Sequence, residues 1–231
     1  AAAAKVSEMM NGGLEIEPVV ARINHSNCIM CGKCIDNCKY KAIYIYDEHV
    51  SVDPIACNGC GICVSSCDED AIEIMGQNDS QIFAMISGML KDKKDGEKRI
   101  LAFLDYIGYV AADNMGINRI NYPESIRIIK ITSVNRLMLK HILYAFENGA
   151  DGIFLGEYTD DMVSHHLQEN VQEFKSELIK NGIDPDRLMY YKVYAPYFRG
   201  LAAKFEEFNQ KINKSLDKFD TILSKASSKD L

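Results

Sequence analysis

From residue 99 onward, the apolar positions gather into four short runs separated by longer stretches of helical spacing. The runs are RILAFLDY (99–106), SIRIIKIT (125–132), DGIFLGEY (151–158) and LMYYKVYA (188–195). Near-continuous apolar runs of this length predict strands buried on both faces. Between them, apolar residues recur every three or four positions over about 108–116, 136–148 and 160–181, and again from about 197 to 223, which predicts helices. Gly149 in FENGAD and Gly182 in KNGIDPDR stand where a helix must stop before a strand begins. Strand and helix in alternation imply an α/β domain with a small parallel sheet. GADGIFLG contains glycines, but not in the strand–loop–helix order of a phosphate-binding site. His165 and His166 are adjacent on a predicted helix near Asp160 and Asp161. They point about 100° apart, so a solvated face is expected there rather than a chelating pair. Tyr190, Tyr191 and Tyr194 are expected in strand and interface packing.

The first hundred residues follow another rhythm. Residues 1–24 begin with small residues, expected to be a helix end, and continue as GGLEIEPVVARI, an extended lead-in. DSQIFAMISGML, with helical apolar spacing, predicts a helix over 79–92. KDKKDGEK (91–98) reads as a charged, solvated hinge. The expected organisation is a lead-in over 1–24, a cysteine-rich domain over 25–76, a helix and linker over 77–97, and the α/β domain over 98–231.

All eight cysteines of the 231-residue chain fall between positions 28 and 67. Cys28, Cys31, Cys34 and Cys38 read C-x2-C-x2-C-x3-C, and Cys57, Cys60, Cys63 and Cys67 repeat that spacing 29 residues later. Gly32 and Gly61, Ala42 and Ala71, Ile43 and Ile72, and Ile45 and Ile74 share the offset, which marks an internal duplication. Three cysteines at this interval let one tight loop cap three corners of a cubane. In two-cluster ferredoxins the fourth ligand comes from the other copy. The pattern therefore assigns one [4Fe–4S] cluster to Cys28, Cys31, Cys34 and Cys67, and a second to Cys57, Cys60, Cys63 and Cys38. Structural zinc prefers paired C-x2-C units, and a disulfide framework suits a small secreted domain; both fit less well. The proline that usually follows the fourth cysteine is replaced by Lys39 and Asp68. Proline supplies no ligand, so cluster binding is expected to survive. Lys39 and Lys41 are expected near the second cluster, and Asp68, Glu69 and Asp70 near the first, which should give the first the lower potential.

Hydrophobic residues make up 47% of the chain, enough for a real core, and the net charge of −7 argues against a general nucleic-acid binder. IFAMISGML is far shorter than a membrane span. With no export signal visible, a cytoplasmic setting with reduced thiols is expected.

EIEPVVARINHSNCIMCGKC and ACNGCGICVSSCDEDAIEIMGQNDSQIFAMI resemble the C-terminal ferredoxin region of the heterodisulfide reductase A subunit. ILAFLDYIGYVAADNMG, YPESIRIIKI, NGADGIFLGEY and GIDPDRLMYYKV resemble the delta subunit of methyl-viologen-reducing hydrogenase. A fused delta domain of this kind also occurs in the B subunit of the quinone-interacting oxidoreductase complex. The resemblance implies an α+β, ferredoxin-like two-[4Fe–4S] domain followed by the α/β domain. In the hydrogenase relatives the delta domain carries a [2Fe–2S] cluster on cysteines. The corresponding positions here fall at the stretch Asp105, Tyr106, Ile107, Gly108 and at Thr132, Glu157 and Met162, so that cluster is not carried over. The remnant is expected to be exposed and either structural or an interface, with partner contact the favoured of the two. The resemblance further implies FAD on a preceding domain or a partner chain, with AAAAKVSEMMNGG as the end of such a domain. Flavoprotein and other redox subunits are the expected partners, with peripheral contact to a membrane subunit compatible. An electron-transfer subunit whose C-terminal domain docks partners is the expected function; a docking scaffold and a redox sensor are the alternatives. No catalytic acid, base or nucleophile of its own is expected.

Overall fold

A computed structural model describes residues 19–158 and 161–227, with side chains of 161–167, 195 and 216–227 excepted. The helix end expected before residue 19, and the side chains of His165, His166 and Met162, lie outside the described residues.

The C-terminal half is built on four parallel strands: β5 (Ile100–Leu104), β6 (Ile126–Lys130), β7 (Gly152–Glu157) and β8 (Leu188–Lys192), in the order β6–β5–β7–β8. All four were legible as apolar runs. β5 and β7 are central, and every residue of both is buried. The last run stops earlier than its apolar pattern suggests: β8 ends at Lys192, paired with Glu157 at the end of β7, and Ala195–Tyr197 forms a 3₁₀ turn. Alternate strand residues serve opposite faces. Leu101, Phe103, Ile153 and Leu155 meet helices α3 (Asp79–Leu90), α5 (Leu139–Glu147) and α6 (Asp161–Lys180). Ile100, Ala102, Leu104 and Phe154 meet α4 (Tyr106–Ile117) and α7 (Phe198–Ser227). On that second face the rings of Phe154 and Phe205 pack edge to face at 4.9 Å.

Helix α3 departs from the sequence-based expectation. The sequence placed it in the linker, but Ile82, Ile86 and Leu90 are buried in the core of the sheet domain. It opens with a capping box: Gln81 N donates to Asn78 Oδ1 at 3.0 Å, and Asn78 N donates to Gln81 Oε1 at 2.9 Å. The charged segment after it is not a free hinge either. Lys93 Nζ reaches Asp151 Oδ2 at 2.6 Å and the Gly149 carbonyl at 2.7 Å. Glu97 takes hydrogen bonds from Arg99 at 2.8 Å and Arg127 at 3.3 Å.

The N-terminal half consists of two small antiparallel sheets. β1 (Ala21–Ile23) pairs with β4 (Ile72–Ile74), and β2 (Ile43–Tyr46) pairs with β3 (His49–Val52). The registers Ala21↔Ile74 and Ile45↔Val50 map onto each other by the 29-residue offset, with the strands exchanged. The duplication is thus folded as a two-fold arrangement. The lead-in supplies one of its strands.

Candidate iron–sulfur site

Each copy of the cysteine repeat is held by the same local devices. Cys28 N donates to the Asn24 carbonyl at 3.1 Å, and Cys57 N to that of Asp53 at 3.0 Å. The side chains of Asn24 and Asp53 accept from Ser26 N at 3.0 Å and Ile55 N at 2.9 Å. The chain then turns through left-handed residues at matched positions: Met30 (φ 57°) and Gly59 (φ 61°), then Gly32 (φ 80°) and Gly61 (φ 77°). Glycine takes this conformation freely, whereas Met30 carries a strain of about 1–2 kcal/mol that the loop must hold. Each glycine opens a short helix, α1 (Lys33–Asn37) or α2 (Ile62–Ser65), which carries the third cysteine.

The fourth cysteine closes the turn without proline. Cys38 N donates to the Ile35 carbonyl at 3.2 Å and Cys67 N to that of Val64 at 3.1 Å. Ala42 N then donates to Cys38 Sγ at 3.3 Å, and Ala71 N to Cys67 Sγ at 3.4 Å. Ala21 N donates to Cys57 Sγ at 3.4 Å. Backbone N–H groups thus point at three of the sulfurs.

Cys28, Cys31, Cys34 and Cys67 line one small pocket, together with Gly32, Met30 and Glu69. Cys60 and Cys63 feel the charges of Cys38 and Cys57. The fold thereby brings each fourth cysteine to the triplet of the other copy. Burial pushes the Cys60 thiol up to about 11. Burial first, and then Cys60, Cys57 and Cys38, push Cys63 above the usual thiol range. Left to themselves, such buried thiols keep their protons. A bound metal's positive charge is what deprotonates them, so this soft donor set fits an iron–sulfur group. Among the described residues no three His, Cys, Asp or Glu side chains converge as a single ion would need. A cubane, by contrast, spaces its ligands around a core of four irons.

The flanking charges are less one-sided than the sequence suggests. Asp68 is ion-paired with Lys33, whose pKa that hydrogen bond raises. Asp70 pairs with Lys140 at 3.0 Å. Both are partly neutralised, and the sequence reasoning passed over Lys33.

Of the positions expected to form an exposed remnant in the C-terminal domain, Tyr106 is exposed, Thr132 is half-buried and two acidic residues are not exposed at all. Asp105 and Glu157 are buried, at 7% and 5% exposure. Asp105 caps α4, accepting from Gly108 N at 2.6 Å, and also accepts from Tyr158 N at 2.9 Å. Glu157 Oε1 accepts from Ser133 Oγ at 2.7 Å and Asn135 Nδ2 at 2.9 Å. Thr132 donates from its backbone N and its Oγ1 to Gln77 Oε1, each at 2.8 Å. These side chains anchor the ends of strands, because strand ends leave carbonyls and N–H groups that must find partners inside the fold.

A junction between the two halves escaped the sequence reasoning. Arg136, in the 3₁₀ turn Val134–Arg136, is 1% exposed. Its Nε donates to the Gln77 carbonyl at 3.2 Å, and its Nη2 donates to Asp79. Asp79 also holds Lys140 at 2.5 Å and His141 Nε2 at 3.1 Å. Burial keeps the His141 pKa low, while His141, Lys140 and Arg136 hold the Asp79 carboxyl far below the carboxylate range. No local pattern marks these residues, which come from separate segments.

The class this fold and site define is an iron–sulfur chain with a parallel-sheet domain fused behind a paired cysteine repeat. The family described as 4Fe-4S dicluster domain matches residues 27–71, and the one described as methyl-viologen-reducing hydrogenase, delta subunit, matches residues 100–215. The chain belongs to the hydrogenase delta-subunit family, with the dicluster domain fused ahead of it. It is 33% identical to the ferredoxin:CoB-CoM heterodisulfide reductase A subunit of Methanosarcina mazei, over 81% of this chain and 24% of that protein. It is 31% identical to the ferredoxin/F(420)H(2)-dependent CoB-CoM heterodisulfide reductase A subunit of Methanosarcina acetivorans, over 96% of this chain and 28% of that protein. It is also 31% identical to the F420-non-reducing hydrogenase vhc iron-sulfur D subunit of Methanococcus voltae, over 54% of this chain and 87% of that protein. The chain thus spans about a quarter of the length of the reductase subunits it matches.

Proposed function

We propose that this chain is an electron-transfer subunit of a heterodisulfide reductase- or hydrogenase-like complex, relaying single electrons through two [4Fe–4S] clusters. The observation that carries it is the two-fold cysteine arrangement. Two quartets, each completed from the other copy, receive matched backbone N–H groups at Cys38 and Cys67. When bound, the clusters would supply one-electron carriers close enough to exchange charge within one small domain. Cys28, Cys31, Cys34 and Cys67 would hold the first; Cys57, Cys60, Cys63 and Cys38 would hold the second. The protein's part is to supply thiolates, donate N–H groups to them and exclude water around Cys34 and Cys63, both buried.

The dicluster domain, on this proposal ferredoxin-like, covers about residues 25–76 with a lead-in before it. The helix and charged segment of 77–97 pack as part of the delta-like domain, which continues over 98–231. The delta-like domain docks partner subunits, consistent with the exposed Tyr106, Tyr158, Tyr194 and Tyr197 beside the C-terminal ends of its strands. FAD resides on a preceding domain or a partner chain, and flavoprotein and other redox subunits are the partners. Ferredoxin and a disulfide substrate, named in the relatives, are the kinds of donor and acceptor that the whole complex would serve.

Iron and acid-labile sulfide analysis tests the proposal, with about eight of each expected per chain. Zinc in place of iron would exclude it. Cys38→Ser should remove the cluster held by Cys57, Cys60 and Cys63, leaving about four irons. Selective loss of the other cluster would show that the ligation does not cross.

A further inference from the structure

The two cysteine loops are copies, yet their surroundings differ at one place. A Cβ built on Gly32 would meet nothing within 4 Å. A Cβ built on Gly61 would stand 2.8 Å from Arg136 Cα and Cβ and 3.0 Å from its Cδ. Gly61 lies between Cys60 and Ile62, so the Arg136 side chain runs directly over the second cysteine loop. The C-terminal domain has laid the stem of a buried arginine against one cysteine loop, its guanidinium held by Gln77 and Asp79, while the loop of the other stays open.

That guanidinium is always charged and almost wholly removed from water. Its Nη1 has no hydrogen-bond partner among the described residues. Other charges stand nearby, and their exposure decides which of them matters. Asp79 opposes Arg136 directly. Lys140 and Asp70 offset each other at the more exposed edge, with side chains 34% and 68% exposed. His141 is buried and its neutral form is favoured. Lys33, the cation of the first loop, is 54% exposed and already paired with Asp68. A buried charge acts through a lower effective dielectric and is screened less by salt than an exposed one.

We propose that Arg136 is the fixed charge by which the delta-like domain raises the reduction potential of the cluster held by Cys57, Cys60, Cys63 and Cys38 above that of its twin. This rests on the two-cluster proposal. Reduction adds negative charge to a cluster, and a positive neighbour stabilises that form. Electrons entering on the side of Cys31, Ile29 and Met30, which are exposed, would then run downhill toward the delta-like domain.

The test is a redox titration, followed by paramagnetic resonance, of the full chain reconstituted with iron and sulfide. Cys38→Ser serves to assign the two signals. Arg136→Met should lower the midpoint of the second cluster and leave the first unmoved, and Arg136→Lys should restore most of the difference. Asp79→Asn keeps the shape and removes the opposing charge, so it should move the same midpoint upward. Opposite shifts from two neighbouring substitutions would not arise from loosened packing. An unmoved second midpoint in Arg136→Met with full iron, equal shifts in both clusters, or a downward shift in Asp79→Asn would each overturn the proposal. If Arg136→Met sheds iron from the second site, the sign of the Asp79→Asn shift decides alone. A wild-type iron content of about half the expected eight would instead be a failure of the two-cluster proposal.

Discussion

Glu157 ends β7 with one carboxylate oxygen doubly hydrogen-bonded and the other without a partner among the described residues. Burial, ahead of the neighbouring Asp105 charge, raises its pKa from 4.5 to about 7. The folded state therefore holds this proton more tightly than the unfolded chain does. The stability it contributes is complete below about pH 4.5 and is lost as pH rises through about 7, a loss of at most about 3 kcal/mol. Glu157→Gln should flatten that decline, as urea unfolding at a series of pH values would show; an unchanged slope would point to another group. Asp79 works in the opposite sense. Its pKa is depressed, so its contribution is present above the ordinary carboxylate range and fades as pH falls below it. Gly61 and Gly32 form a second pair of contrasts. Both are left-handed, so alanine should cost about 1–2 kcal/mol at either. At Gly61 the added methyl also meets the Arg136 backbone. Gly61→Ala is expected to lower the unfolding midpoint more than Gly32→Ala and to release iron from the second site first.

At the scale of elements, α3 teaches the most. The capping box at Asn78 came with the structure, but the apolar spacing is legible in DSQIFAMISGML, so its existence was plain. Which body it serves was not, because an amphipathic helix says that one face is buried without saying against what. The structure buries Ile82 and Ile86 in the same cluster as Leu101, Phe103 and Ile129 of the sheet. Ile86→Ala should therefore destabilise the sheet domain by about 2–5 kcal/mol. A fragment of residues 77–231 should unfold cooperatively, whereas one of 98–231, lacking α3, should not. Circular dichroism during urea titration separates the two. The strands were legible for the complementary reason: a run apolar on both faces has few places to go except the middle of a sheet covered by helices. The run LMYYKVYA extends past the end of β8 because the ladder stops at Lys192, opposite Glu157 where β7 ends, a limit set by the neighbouring strand.

At the scale of the whole molecule, charge placement along the chain and in space give different answers. The acidic run Asp68, Glu69, Asp70 was expected to depress the first cluster's potential. Asp68 and Asp70 have each found a lysine, leaving Glu69 at the pocket wall. Lys39 and Lys41 remain exposed on the other side. An exposed charge some 8 Å from a cluster contributes roughly 0.5 kcal/mol, on the order of 20 mV for one electron. The Lys39→Glu, Lys41→Glu double variant should lower the second midpoint by an amount that shrinks as salt rises. The shift from Arg136→Met should persist in high salt. A redox titration at two ionic strengths distinguishes them, and equal salt sensitivity would contradict the burial argument.

The sequence by itself determined the cysteine spacing, the duplication, the alternation of strand and helix and the glycines that stop helices. Each of these is a local property, set by which backbone angles a residue tolerates and which face of an element is apolar. The repeat also implied that each copy supplies the other's fourth cysteine. The tertiary structure decided that the lead-in becomes a strand of the dicluster unit and that α3 belongs to the sheet domain. It alone brought Arg136 over Gly61 and buried Asp105 and Glu157 where an exposed surface was expected. These are contacts between segments far apart in the chain. Packing and the pairing of buried polar groups select them, and neither leaves a periodic signal in the sequence.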